Sequence, residues 1–405
     1  RARSCCAGAA ARTAIPSAEP GARRTAGGRV RPAVSKPLVT ATLIVKNEAA
    51  FLEGCLASLR GRVDEVVVAD TGSDDQSREI ARRAGARVFD FPWTGDFAAA
   101  RNASADMARG AWLLYIDADE RLVAWDDREI ARLDADPSIV CGRVLFRPKT
   151  GYTRFREHRL FRNRPDLRFR GVIHETLVPA LNEAQVRDGA RIVPVEAAID
   201  HLGYDGDQSA KHRRNLPLLR ARLATEPDHV YCLDHLGLTL QALGDLAGAR
   251  DAWGRAVGVV RRRGVREVVD VMPFVHLASH LVSQGEGARS LLDEARQRFP
   301  DDHTLRWIDA RARMDAGDPV SAYPLFARLA ETDPATLNDG PAWDLSIFGV
   351  RAHAAAGRCA MEMHRPDLAA LHFARAETLE PTNPEYRVKR MFAEARARAV
   401  GPESA

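Results

Sequence analysis

Apolar runs and polar interruptions alternate along the first half of the chain at intervals that suit short strands and ten-residue helices. The run 39–45 (VTATLIV) is rich in β-branched residues and gives way to Lys46, Asn47 and Glu48, after which Phe51, Leu52, Cys55, Leu56 and Leu59 mark one face of a helix. A second run, 65–69, stops at Asp70, Thr71, Gly72, Ser73, Asp74 and Asp75. This spacing predicts a helix over 76–84, capped by Ser73 or Asp74 and stopped by Gly85. A short third strand over 87–91 and a helix over 97–108, capped by Asp96 and stopped by Gly110, follow. The longest apolar block, Trp112 to Ile116, ends abruptly in Asp117, Ala118, Asp119 and Glu120. A block of that kind suits a strand buried on both faces, and the two aspartates after it are poor core material.

Beyond the acidic edge, strands are expected over 140–147, 153–161 and 192–199, with a strand-like approach at Phe169 to Glu175. Two of these endings bring further ionisable groups, His174 with Glu175 and Asp200 with His201. Strands alternating with helices make this half a doubly wound α/β domain whose ligand edge is the carboxyl ends of its strands.

From about Ser209 the pattern becomes helical throughout, rich in Ala, Leu and Arg. Small and bulky residues recur at intervals of four and three: Ala249, Trp253, Ala256; Ala288, Leu292, Ala295; Ala322, Phe326, Leu329; Ala369, Phe373, Ala376. Pro300, Pro334 and Pro381 follow five residues after the last three sets. This matches the second helix of the tetratricopeptide repeat, with Leu236 and Gly237, and Ala356 and Gly357, at first-helix positions. The boundaries expected are 1–37, 38–208 and 209–405.

Composition narrows the class. With 405 residues, 45% hydrophobic and 28% charged, the chain is large enough for two cores. Residues 1–37, rich in Ala, Arg, Gly and Pro, are expected to be disordered; they lack the apolar stretch of a secretory signal, while a transit peptide remains open. No apolar run reaches the roughly 20 residues of a membrane span. A net charge of +4 does not argue for nucleic acid. Six cysteines (5, 6, 55, 141, 232 and 359) form no CxxC pair and read as reduced thiols in a cytoplasmic protein.

Four segments in this order, IVKNEA (44–49), VADTGSDD (68–75), GDFAAARNAS (95–104) and YIDADE (115–120), resemble glycosyltransferase family 2 with the GT-A fold, a branch of which carries tetratricopeptide repeats after an HxGY-like segment such as 201–204. The resemblance implies a nucleotide-diphospho-sugar transferase with a Rossmann-like mixed sheet, followed by an all-α repeat domain. It further implies an inverting transfer, dependent on Mn²⁺ or Mg²⁺, from a nucleotide-sugar, a UDP-sugar above all, to a glycan, peptide or protein hydroxyl or thiol bound by the repeats. Asp117 and Asp119 stand as the DxD pair, Asp119 as metal ligand and Asp117 toward ribose or metal, with His201 completing the metal site. Asp70 is placed on the base, unless it only caps its turn, and Lys46, Asn47 and Glu48 line the same pocket. Arg101 and Asn102 would reach the diphosphate or ribose, though Arg101 has the alternative of pairing with Asp96 or Asp117. Glu175 is the general base, with Asp200 as its alternate. The Arg-rich stretch 154–170 reads first as a solvated face and second as a site for an anionic acceptor. Set against the enzyme is a repeat scaffold whose α/β domain binds nucleotide without turnover.

Overall fold

A computed structural model describes residues 38–148, 151–203, 208–338 and 340–400. The expected disorder of 1–37, Cys5, Cys6 and Tyr204 lie outside these residues. The first half is built on strand, helix, strand repeats: β1 (Val39–Val45), α1 (Ala49–Leu59), β2 (Glu65–Asp70), α2 (Ser77–Arg83), β3 (Arg87–Asp90), α3 (Phe97–Met107) and β4 (Trp112–Tyr115). Four further strands follow, β5 (Glu120–Ala124), β6 (Ile139–Arg147), β7 (Phe155–Arg162) and β8 (Arg191–His201), with α4 (Asp127–Ala135) and α5 (Val178–Asp188) between them. All eight form one mixed sheet in the order β3-β2-β1-β4-β7-β6-β8-β5.

The first four strands pair in parallel, β1 lying between β2 and β4. β7 then pairs antiparallel with β4 and with β6, β8 runs parallel to β6, and β5 closes the row antiparallel to β8. The apolar runs become the core: Leu43, Val67, Leu113, Leu114 and Ile116 are completely buried. β5 is not marked by any sequence run, because Glu120–Ala124 is held by pairing with residues far along the chain, Glu120 with His201 and Ala124 with Ala198, rather than by its own pattern.

Local signals fare unevenly. Asp96 caps α3 as expected, accepting a hydrogen bond from Ala99 N at 2.9 Å. Neither Ser73 nor Asp74 caps α2: Asp75 accepts from Ser77 N and from Ala49 N, Ser73 Oγ accepts from Asn47 N, and Asp74 N donates to Asn47 Oδ1. These polar groups lock the turns after β1 and β2 to each other. The stretch 169–175 is not a strand. It is a tight turn in which Arg170 and Thr176 exchange backbone hydrogen bonds, with Gly171 at φ +102° and His174 at φ +51°.

The second half is a row of helices in which successive members pack on one another: α6 (Ser209–Thr225), α7 (Val230–Ala242), α8 (Leu246–Arg263), α9 (Met272–Ser283), α10 (Arg289–Arg298), α11 (His303–Asp315), α12 (Pro319–Glu331), α13 (Gly349–Glu362), α14 (Pro366–Leu379) and α15 (Pro384–Val400). The repeat residues are its core, with Trp253, Leu292, Phe326 and Phe373 all buried. A Cβ at Gly237 would lie 2.3 Å from Trp253 Nε1, and one at Gly357 would lie 2.7 Å from Phe373. Glycine there lets paired helices approach closely enough for the aromatic ring to fill the gap. The four cysteines of the described residues, Cys55, Cys141, Cys232 and Cys359, are free and buried. No described helix is long and apolar enough to cross a membrane.

Candidate active site at the sheet edge

The chain leaves β1 toward β2 on one side and returns as β4 on the other, so the order of the sheet reverses between β1 and β4. Such a switch point opens a crevice at the carboxyl ends of the strands. Lys46, Asn47 and Glu48 follow β1, the Asp70 turn ends β2, and Asp117 and Asp119 follow β4.

Arg101 gathers the most distant pieces. Buried on α3, it donates from Nη2 to Asp117 Oδ1 at 2.9 Å and from Nε to Glu175 Oε1 at 2.5 Å. Its guanidinium lies over Tyr115 and Phe169, 4.9 and 5.7 Å from the ring centroids. Of the partners open to Arg101, the structure selects Asp117 and adds Glu175. Burial works against a charge on Asp117, but Arg101 and then Arg159 outweigh it and hold the carboxyl below its usual range.

Asp119 points elsewhere: its Oδ2 lies 3.1 Å from His201 Nε2. That contact is the chief reason His201 is more basic than a free imidazole. Glu120, the next residue, pairs with His201 in the β5–β8 register, and this brings the imidazole to the acidic edge. Glu48 shares the same space; burial first, then the charges of Asp119, Asp117 and Asp75, push its carboxyl up to about 7. Asp70 is 1% exposed, and its Oδ1 accepts from Gly72 N, Ser73 N and Arg78 Nε. Turn capping is therefore real, yet it uses one oxygen only, and Oδ2 is buried without a hydrogen-bond partner. Lys46 is exposed, and Asn47, at φ +58°, ties the two turns together.

Three expectations are corrected. Asn102 does not reach out to a donor: its amide donates to Phe169 O and accepts from Phe169 N, at 2.9 and 2.8 Å, which spends both ends on one residue of the 169–176 turn. Asp200 neighbours His201 on an extended strand and so projects to the opposite face, where it lies 3.4 Å from Arg147 Nε. Arg159 and Arg162 of the 154–170 stretch do not belong to a solvated face. Arg159 is buried, forks onto both oxygens of buried Glu120, and lies 4.4 Å from the Tyr115 ring centroid. Arg162 donates to the carbonyls of Ile139, Leu133, Asp134 and Asp136, and stacks on Trp112. Arg159, Glu120 and Tyr115 also belong to the site, although the sequence alone gives none of them a role there. Their traces in the sequence are the segment 115–120, which holds Tyr115 and Glu120, and the Arg-rich stretch 154–170, which holds Arg159.

Among the described residues, no three His, Cys, Asp or Glu side chains converge to hold a cation by themselves. Two donors do meet, the Asp119 carboxylate and the His201 imidazole, a combination suited to Mn²⁺ or Mg²⁺ when phosphate and water supply the rest. Beside Asp117 and Glu175 a groove of about 1750 Å³ runs past His174, Arg159 and Glu157 to α7, α8 and α9, where Tyr231, His235 and Arg263 line it.

Residues 40–183 match the model of glycosyl transferase family 2. Over that segment, which spans β1 to α5 of the mixed sheet, the chain is similar to the glycosyltransferases of that family, and the tetratricopeptide-like helices follow it. A TPR repeat-containing protein of Synechococcus elongatus is 37% identical over 223 residues, covering 52% of this chain and 54% of that protein. The SPbeta prophage-derived glycosyltransferase SunS of Bacillus subtilis is 28% identical over 223 residues, covering 51% and 50%. The chain spans about half the length of these curated relatives. Glucosyl-3-phosphoglycerate synthase of Mycobacterium tuberculosis, solved with Mn²⁺ and UDP, covers 46% of this chain and 79% of its own at 17% identity and a TM-score of 0.34.

Proposed function

We propose that this protein is a metal-dependent inverting glycosyltransferase that moves a sugar from a UDP-sugar to a hydroxyl or thiol of a glycan, peptide or protein lying in the groove before the helical repeats. The observation that carries this reading is Arg101, which joins Asp117 at the end of β4 to Glu175, two carboxylates 58 positions apart in sequence, inside one crevice. A retired nucleotide fold has no need of a second carboxylate held at that point.

Each residue then has a task its surroundings permit. Asp70 Oδ2, buried and unpartnered, accepts the imide N–H of the uracil base. Glu48 lines the pocket beneath the diphosphate. Asp119 and His201, with Asp117 beside them, would hold the divalent cation, which when bound would supply positive charge against the departing diphosphate. Glu175 takes the proton of the acceptor as its oxygen or sulfur attacks, and Arg101 fixes the direction of that carboxylate. The groove exceeds the roughly 300–1,000 Å³ of ordinary small-ligand pockets, which suits an extended acceptor. We assign 38–208 to the transferase part and 209–405 to the repeats on the same grounds.

The test is UDP release from a panel of UDP-sugars with Mn²⁺. Wild type is expected to turn over at least one donor, and Asp119→Ala to lose about 10²-fold or more of that rate. Equal, slow release from both proteins would reject the enzyme in favour of a nucleotide-binding scaffold.

A further inference from the structure

We infer that Arg222, on the first helix of the repeat half, is a positioning residue for Glu175, so that the helices complete the active site. This rests on the reading of Glu175 as the base.

The 169–176 turn is fastened from two sides. On the sheet side, Asn102 grips Phe169 and Phe97 N donates to Val172 O at 2.9 Å. On the helical side, Arg222 is 4% exposed and donates from Nη1 to the carbonyls of Ile173 and His174, at 2.5 and 3.0 Å. Its other nitrogens meet His229 Nε2 at 2.9 Å and Glu226 Oε1 at 3.3 Å. A carboxylate carried by the very next residue, Glu175, is therefore aimed by a backbone that Arg222 holds. The planar fork of a guanidinium can serve two carbonyls and an imidazole together, which a lysine ammonium cannot match in geometry.

The turn is also shaped to receive this side chain. A Cβ on Gly171 would run into the Arg222 guanidinium, and the residue's φ of +102° itself favours glycine, so this position accommodates the arginine as it stands. Ile173 is buried in the same core as Leu219 and Leu223 of α6. His174 takes a left-handed backbone conformation that costs energy for a non-glycine residue, and its ring packs on His235 and Tyr231 of α7, with centroids 4.0 and 5.1 Å away. Arg101 meets the Glu175 carboxylate from the sheet, and Arg222 sets the main chain from the helices.

The experiment uses the full chain and the UDP-sugar giving the greatest UDP release with Mn²⁺, comparing wild type, Arg222→Ala, Arg222→Lys and Glu175→Gln. Arg222→Ala is expected to lower kcat about 10²-fold, since small misplacements of a reacting group cost that much. UDP affinity by calorimetry should stay within about twofold, and Arg222→Lys should recover only part of kcat. Methylguanidinium added to Arg222→Ala should restore part of the rate, which a general loss of packing would not allow. A kcat within about threefold of wild type in Arg222→Ala, or equal losses of kcat and UDP affinity, overturns the inference. Should Arg222→Ala not fold, Arg222→Lys decides: wild-type kcat overturns it, and a lowered kcat at unchanged UDP affinity upholds it. Normal turnover by Glu175→Gln would instead remove the base assignment itself, whereas an inactive Glu175→Gln beside normal Arg222 variants removes only the positioning role.

Discussion

The two walls of the crevice crowd their ionisable groups in opposite ways. On the sheet side, Glu48, Asp117, Asp119 and Glu120 gather carboxylates, and Glu48 answers by holding its proton up to about pH 7. On the side of the repeats, imidazoles gather: burial first, then His235 and Arg222, push His174 down to about 2, and burial pushes His235 down to about 4. The first wall has negative charge that a cation would relieve. In the second, the seam of His174, Tyr231 and His235 is aromatic and already close to the Arg222 cation, so a further positive charge on its imidazoles is unwelcome. The contrast separates a donor side, which suits a metal and a diphosphate, from a seam that suits an uncharged part of an acceptor.

The largest effect expected from breaking this division is on Glu175, which stands where the walls meet. Glu175→Gln should lose about 10²–10⁴-fold in turnover with UDP affinity kept, as measured by UDP release and calorimetry. On the donor side, Asp70→Asn places an amide where the unpartnered oxygen stands and should weaken UDP binding roughly tenfold, the scale of one hydrogen bond to a charged group. Unchanged affinity would leave Asp70 with its turn alone.

Two smaller effects should have opposite slopes with pH. The Glu48 carboxyl is raised above its ordinary 4.5, so the stability it contributes is full below that value and is lost as pH rises through about 7. Glu48→Gln should therefore raise the melting temperature at pH 8 and not at pH 4.5, by at most roughly 2–4 °C, since water screens a half-buried charge. Mn²⁺ should shrink that gain. His174 is depressed, so the stability that depends on its neutral ring is present above the ordinary 6.5 and lost as pH falls below it. His174→Asn, which tolerates a positive φ, should flatten the loss of melting temperature between pH 6.5 and 5. A parallel loss in both proteins would move the acid sensitivity to other imidazoles.

Much of the donor side was legible from the chain because it is local. A strand that ends in polar residues places them at the sheet edge whatever the rest of the fold does, which is how Glu48, Asp70, Asp117 and Asp119 came to notice. The repeats were legible for a related reason: each helix carries its own small and bulky spacing, and Gly237 against Trp253 is a contact within one helix pair. The turn 169–176 was misread as a strand because its apolar residues are buried by other elements, Ile173 by α6 and Phe169 by Tyr115 and Phe161. The arginines of β7 looked solvated because their carboxylate and carbonyl partners are distant in sequence, Glu120 for Arg159 and Asp134 for Arg162.

The sequence by itself determined the alternation of strands and helices, the acidic edge after β4 and the change to helical repeats, since periodicity and strand-end polarity act over a few residues. Only the tertiary structure decided that Asp119 meets His201, that Arg101 joins Asp117 to Glu175, and that Arg222 holds the turn bearing Glu175. Those contacts depend on which strands pair, in what register, and how the helices pack on the turn. The core settles such choices collectively, and no local stretch of chain encodes them.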